Sequence, residues 1–126
     1  MPRMTVEKNN EQFLSLVEEL KTHLILVEGK RDVRALKSLG IEKIIAINGR
    51  SPIDVVGNVF KYSKHPNLKE SSVVILTDFD HEGKELALKF NKIFQRYHVK
   101  TNSRLRNALM KFGKSQIEDF NQKRLD

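Results

Sequence analysis

The chain has 126 residues, of which 23 are Lys or Arg and 16 are Asp or Glu, so its formal net charge is 23 − 16 = +7. With 39% hydrophobic and 31% charged residues, it is predicted to form one soluble globular domain, and a disordered or fibrous chain is excluded. It has no cysteine, which excludes a disulfide scaffold, a thiol nucleophile and a Cys-based zinc site. No segment resembles a membrane span or a signal peptide, which predicts a cytoplasmic protein.

The elements expected along the chain alternate between helix and strand. Short apolar runs rich in β-branched residues predict buried strands at 24–27, 44–47 and 73–76, and a short fourth strand is expected near 97–100. Amphipathic helices are predicted at about 11–21, 33–39, 52–62, 83–96, 104–111 and 116–122. This order implies βαβ units, so we predict an α/β fold with a mainly parallel, about four-stranded sheet covered by helices on both faces. The predicted core is 22–100, between an N-terminal helix at 11–21 and a basic helical segment at 101–126.

Acidic residues follow two of the predicted strands. Glu28 comes directly after the first strand, and Asp78 and Asp80 follow the third. Because parallel strands end at the same edge of a sheet, we expect the three carboxylates to lie close together. Close carboxylates repel one another unless a cation neutralises them, and carboxylate oxygen is a preferred ligand of Mg²⁺. A magnesium site is therefore predicted; the alternative is that the two aspartates cap the following helix and Glu28 forms a surface ion pair.

Glycines and basic residues surround these acids. Gly29, Gly49 and Gly83 each follow a strand closely, where glycine permits a tight turn or a close approach of the backbone to a ligand. Seven basic residues are candidates for contacts with phosphate groups or a nucleic-acid backbone, although a solvated surface also accounts for several of them. They are Lys30, Arg31, Arg34, Arg50 and Lys84 near the acids, and Arg104 and Arg106 in the basic C-terminal segment. The positive net charge favours nucleic acid as the partner.

The combination of these segments resembles the Toprim family. The segments are Leu24-Ile-Leu-Val-Glu28-Gly29-Lys30-Arg31-Asp32, then Asn48-Gly49, then Thr77-Asp78-Phe-Asp80-His-Glu-Gly83. Toprim domains occur in topoisomerases, primases, nucleases and ribosomal RNA maturases. The sequence of these segments is similar to that of small stand-alone, primase-type or maturase-type members. The resemblance runs from about residue 22 to residue 100 and implies a Rossmann-like fold.

The resemblance also implies roles for the acids. Glu28 matches the family's glutamate, a general acid or base within the metal site, and Asp78 and Asp80 match the aspartates that bind Mg²⁺, with Mn²⁺ possible. The expected function is hydrolysis of phosphodiester bonds in RNA or DNA. Two alternatives remain open: a non-catalytic module that binds metal and nucleic acid together with partner proteins, and a phosphatase of the haloacid dehalogenase type. The phosphatase also uses an Asp-x-Asp motif after a strand but leaves Glu28 without a role.

Overall fold

The computed structural model of the protein describes residues 6–62 and 72–112. It contains helices α1 (Val6–Leu20), α2 (Lys30–Ser38), α3 (Pro52–Tyr62), α4 (His81–Arg96) and α5 (Ser103–Met110), and strands β1 (Leu24–Val27), β2 (Ile44–Ala46) and β3 (Val73–Ile75). The predicted helix at 116–122 lies outside the described residues. Among the described residues, no helix has the length and apolar character needed to cross a membrane.

The three strands form a parallel sheet in the order β2-β1-β3. Ile25 lies opposite Ile44 of β2 and opposite Val74 of β3, so β1 is the central strand. Each parallel connection crosses the sheet through a helix, as βαβ units require. The order places the end of β1 between the ends of its two neighbours, and this is the edge where the acidic residues follow the strands. The predicted parallel α/β fold is confirmed.

Alternating side chains of the strands fill two cores, one on each face of the sheet. Ile25 and Val27 point to the core formed with α1, α2 and α5, whereas Leu24 and Leu26 point to the core formed with α3 and α4. All four side chains of β1 are buried. A strand covered on both faces needs a continuous apolar run, which explains the composition of this segment.

The sheet has fewer strands than predicted. The segment predicted as a fourth strand forms a turn directly after α4, and Thr101, which follows it, forms an isolated bridge to Val73. The chain then turns into α5, because the side chain of Asn102 accepts a hydrogen bond from Leu105 N–H (3.3 Å) and caps the helix. A helix that begins so soon after the bridge leaves no residues to extend the strand.

Gly83 sets the distance between β3 and α4. A Cβ atom on this residue would lie 2.0 Å from the carbonyl oxygen of Asp78, which is backbone and has no room to move. Gly57, in the middle of α3, faces open space, because nothing lies within 4 Å of the position of its Cβ. The first glycine is therefore required by packing, and the second is not.

These two glycines give a matched prediction. Gly83→Ala should lower the free energy of unfolding by about 1–3 kcal/mol, because the new methyl group overpacks the start of α4. Gly57→Ala should raise it by about 0.5–1 kcal/mol, because alanine loses less backbone entropy on entering a helix. Urea unfolding followed by circular dichroism measures both changes. Equal effects of the two substitutions would contradict the close approach at Gly83.

Candidate functional site

Glu28 and Asp78 are joined at the carboxyl edge of the sheet. The backbone N–H of Asp78 donates to Oε2 of Glu28 over 2.8 Å. Glu28 directly follows β1 and Asp78 lies three residues after the end of the neighbouring β3, so the register of β1 against β3 sets this contact. Both side chains are half-buried. The structure thus brings together two of the three acids that the sequence placed at this edge.

Asp80 has a different local role. It is the N-cap of α4, and its Oδ1 accepts a hydrogen bond from the backbone N–H of Gly83 (2.8 Å). A carboxylate at this position is favoured because it satisfies a free N–H group and faces the positive end of the helix dipole. The capping role considered from sequence is therefore present at Asp80, while its second oxygen takes no part in this bond. Asp80 is exposed to solvent.

The surroundings of Glu28 oppose its ionisation. Burial raises the pKa of Glu28, the hydrogen bond from the Asp78 backbone lowers it, and the charges of Asp78 and Asp32 raise it further, with a net upward shift. Asp32 is buried at the start of α2, where its Oδ2 accepts from Gly29 N–H (3.1 Å). A carboxyl group with a raised pKa exchanges a proton closer to neutral pH than an ordinary glutamate does.

Asp32 was missed as part of the site by the sequence analysis. The available signal was its spacing: an acid three residues after Gly29 can accept a hydrogen bond from the Gly29 N–H, which is one half of the capping-box pattern at a helix start. That pattern does not reveal burial. The structure adds that the Asp32 charge acts on Glu28.

The described residues contain no group of three or more His, Cys, Asp and Glu side chains arranged to hold a metal ion. The chemistry of the acids still fits Mg²⁺, because this ion is bound in proteins by one or two carboxylates together with water and phosphate oxygens. Asp78 and Asp80 would supply those carboxylates, so the donor set fits an open magnesium site and not a closed cage.

A cleft of about 330 Å³ begins at Glu28 and lies on the face of the sheet covered by α3 and α4. Its lining includes the apolar side chains of Leu86 and Phe90, the turn at Gly49, and Lys89 of α4. Lys89 is exposed, and the sequence analysis did not single it out. The only sequence signal was one lysine among several on an amphipathic helix, which does not distinguish it from its neighbours.

Most of the predicted phosphate-binding residues are exposed: Lys30, Arg31, Arg34, Arg50, Lys84 and Arg104. Two of these six already have partners. Arg50 donates from Nε to the carbonyl of Ile47 (3.3 Å) and thereby braces the end of β2. Arg104 forms an ion pair of 2.8 Å with Glu19 of α1. Arg104 comes three residues after Thr101, which bridges to Val73 at the start of β3. Arg104 therefore lies near the start of β3, whereas Asp78 lies beyond its end.

Arg106 does not fit its predicted contact with nucleic acid. Its side chain is buried, with 8% of the residue exposed. Nη1 donates to the carbonyls of Ile75 (3.2 Å) and Thr77 (2.6 Å), and Nη2 donates to the carbonyl of Asp78 (2.9 Å). These carbonyls lie on and beyond β3, where the missing fourth strand would have bound. The guanidinium group therefore faces the protein and is not available to a polyanion.

Two glycines remain from the sequence analysis. Gly49 has a φ of +71°, in the left-handed region that glycine enters without strain, and it follows Asn48, whose φ is +49°. This turn joins β2 to α3 and forms part of the wall of the cleft. Gly29 has an extended backbone, and a Cβ there would lie 3.8 Å from Asn48 Oδ1, which is ordinary contact. A side chain at Gly29 is therefore tolerated by the space around it.

Comparisons with known proteins place the chain in a family. A UPF0292 protein of Methanocaldococcus jannaschii is 34% identical over 114 residues, which cover 87% of this chain and 85% of that protein. A UPF0292 protein of Methanosarcina barkeri is 35% identical over 117 residues, with 89% and 78% covered. A solved structure of an Aquifex aeolicus protein superposes with a TM-score of 0.70 at 28% identity, covering 83% of this chain and 94% of the other. The family model of the Toprim domain matches residues 23–109, a span that includes the three strands and all three acids. The chain therefore belongs to the Toprim domain family.

Proposed function

We propose that the chain hydrolyses phosphodiester bonds in RNA or DNA in a reaction that depends on Mg²⁺ or Mn²⁺. The observation that carries the proposal is the Glu28 carboxyl group, which has a raised pKa and is held by the Asp78 backbone at the edge where Asp80 begins α4. Membership of the Toprim family supports metal-dependent work on nucleic acid. The names of the relatives state no activity, so hydrolysis is our own step.

The protein's own residues have distinct tasks in this reaction. Glu28 takes or gives the proton, because its raised pKa brings proton exchange closer to neutral pH than in an ordinary glutamate. The Asp78 N–H fixes the orientation of that carboxyl group. Asp78 and Asp80 would hold the metal ion, which when bound neutralises negative charge on the phosphate.

Nucleic acid is expected to bind around this edge through its backbone. Lys30, Arg31 and Arg34 project from α2, and Lys89 lies on the cleft that begins at Glu28. Contacts from exposed lysine and arginine side chains to phosphate position a polymer without reading its sequence. The net charge of +7 supports the same kind of partner.

We expect Glu28→Gln and Asp80→Asn to slow metal-dependent cleavage strongly while leaving the fold intact. The amide introduced by Glu28→Gln retains an oxygen that accepts from the Asp78 N–H, and asparagine is as good an N-cap as aspartate. The rate should fall by about 100-fold or more in Glu28→Gln, as expected when a general acid or base is removed. Cleavage and gel mobility are measured together on labelled single- and double-stranded RNA and DNA. The nucleic acids are incubated with the protein and Mg²⁺, Mn²⁺ or EDTA.

Glu42→Gln is the matched control, because Glu42 is exposed and precedes β2 at the opposite end of the sheet. It should cleave at the wild-type rate. Binding without products under every metal condition would overturn the hydrolysis proposal and favour a module that recruits nucleic acid for partner proteins. If the protein cleaves a small phosphate monoester, and this cleavage requires Asp78 but not Glu28, the phosphatase alternative is favoured.

A second prediction concerns the cleft. Lys89→Ala should weaken binding of every nucleic-acid sequence and reduce the slope of log affinity against log salt concentration by about one, because one phosphate contact is lost. Lys92→Ala should change neither quantity, since Lys92 is an exposed lysine of the same helix that does not line the cleft. Fluorescence anisotropy over a range of salt concentrations measures both variants. Equal effects of the two substitutions would show that α4 contributes only general charge.

A further inference from the structure

Arg106 is bonded to the same peptide group that holds Glu28. The peptide between Thr77 and Asp78 offers its carbonyl oxygen to Nη1 of Arg106 (2.6 Å) and its N–H to Oε2 of Glu28 (2.8 Å). The next carbonyl, that of Asp78, accepts from Nη2 of the same guanidinium group (2.9 Å). One buried cation thus fixes two consecutive carbonyls of the segment that leads from β3 into the acidic loop.

The position of Arg106 is itself fixed by packing. The guanidinium carbon lies 4.9 Å from the centre of the Phe79 ring, and the neighbouring Leu105 and Leu109 of α5 are buried in the core below the sheet. Its Nη1 also contacts the hydroxyl of the buried Thr77 (3.1 Å). A side chain enclosed in this way has few alternative conformations, so its hydrogen bonds hold the backbone in one place.

Capping the edge of β3 does not by itself explain an arginine. The bond to Ile75 replaces a partner that a fourth strand would have supplied, but the two shorter bonds go to residues after the strand. Burial is unfavourable for the charged guanidinium and lowers the pKa of Arg106, while the charges of Glu28 and Asp78 oppose that shift. The cation is therefore placed where its charge is balanced by the two acids of the site.

We propose that Arg106 is a positioning residue for Glu28, because its guanidinium holds the Thr77–Asp78 peptide in the orientation whose N–H binds the Glu28 carboxylate. A charged donor on the carbonyl also polarises the peptide and strengthens the hydrogen bond that its N–H makes. The inference rests on the proposed hydrolysis for its effect on rate, but the contact it describes is measurable without activity. Lysine replaces it only in part, because an ammonium group lacks the planar fork that reaches neighbouring carbonyls.

The test compares Arg106→Met and Arg106→Lys with Leu109→Ala. Leu109 is a buried residue of the same helix and the same core, so its truncation destabilises the fold without touching the acidic loop. Rates are measured at a temperature where circular dichroism shows every variant folded. We expect Arg106→Met to lower kcat about 100-fold with little change in KM, as a misplaced reacting group does. Arg106→Lys should recover part of that loss, and Leu109→Ala should keep the wild-type kcat.

A double variant separates positioning from a general structural role. If Arg106 acts through Glu28, then Glu28→Gln combined with Arg106→Met should be no slower than Glu28→Gln alone, because the interaction has already been lost. Multiplicative losses, or equal losses of kcat in Arg106→Met and Leu109→Ala, would overturn the proposal. Should Arg106→Met fail to fold, the same comparison is made with Arg106→Lys.

The Asp78 backbone amide gives a readout that needs no activity. Its proton resonance reports the bond to Glu28 and should change in Arg106→Lys and in Glu28→Gln but not in Leu109→Ala. An amide that is unaffected in Arg106→Lys would overturn the positioning role even if the enzyme were active. If the amide responds but no variant and no wild-type protein cleaves nucleic acid, the positioning contact stands and the hydrolysis proposal fails.

Discussion

The hydrogen bond from the Asp78 N–H to the Glu28 carboxylate joins residues 50 positions apart in the sequence. It exists because β1 and β3 are neighbouring parallel strands in a register that places Leu26 opposite Ile75. That register is set in turn by the apolar side chains that alternate between two cores, since a shift by one residue would turn each of them to the other face. The geometry of the acidic edge is therefore a consequence of how the strands bury their side chains.

The same edge concentrates opposing electrostatic effects. Glu28 loses hydration and lies near the charges of Asp78 and Asp32, which favours its neutral form, while the Asp78 N–H favours the carboxylate. Arg106 adds a buried positive charge close to the same group. Because these contributions differ in sign, small displacements of the backbone at Asp78 change the balance. Gly83 limits such displacements, since its Cα packs directly against the Asp78 carbonyl.

The sequence was sufficient for the features that depend on local pattern. The continuous apolar runs predicted the three strands to within one residue, and the helix predicted at 52–62 is α3, whose start is capped by Ser51, where Oγ accepts from Asp54 N–H (3.3 Å). The parallel arrangement then predicted that Glu28 and Asp78 would meet. Each of these inferences uses residues that are adjacent in sequence or a general rule of βαβ connection.

The features that the sequence did not predict depend on contacts between distant segments. Arg106 and Arg104 lie two residues apart on the same amphipathic helix, and nothing local distinguishes the buried arginine from the exposed one. Its burial requires a free edge on β3, and that edge is free because Asn102 starts α5 after a single bridge at Thr101. The wrong strand count and the wrong role predicted for Arg106 therefore have one cause, since the Arg106 side chain donates to the Ile75 carbonyl, which a fourth strand would have bound.

The Arg106 side chain, which takes the place of a fourth strand, affects the proposed reaction. A fourth strand would bind the Ile75 carbonyl of β3 through a neutral N–H group, whereas Arg106 binds this carbonyl, and those of Thr77 and Asp78 beyond the strand, through a cation. Hydrogen bonds from an ionised donor are stronger than neutral ones, so the peptide that holds Glu28 is better fixed than a ladder bond would make it. The exposed Lys30, Arg31 and Arg34 of α2 take no part in these bonds and face solvent. Attraction of a polyanion and alignment of Glu28 are thereby assigned to different cations, and each can be altered without the other.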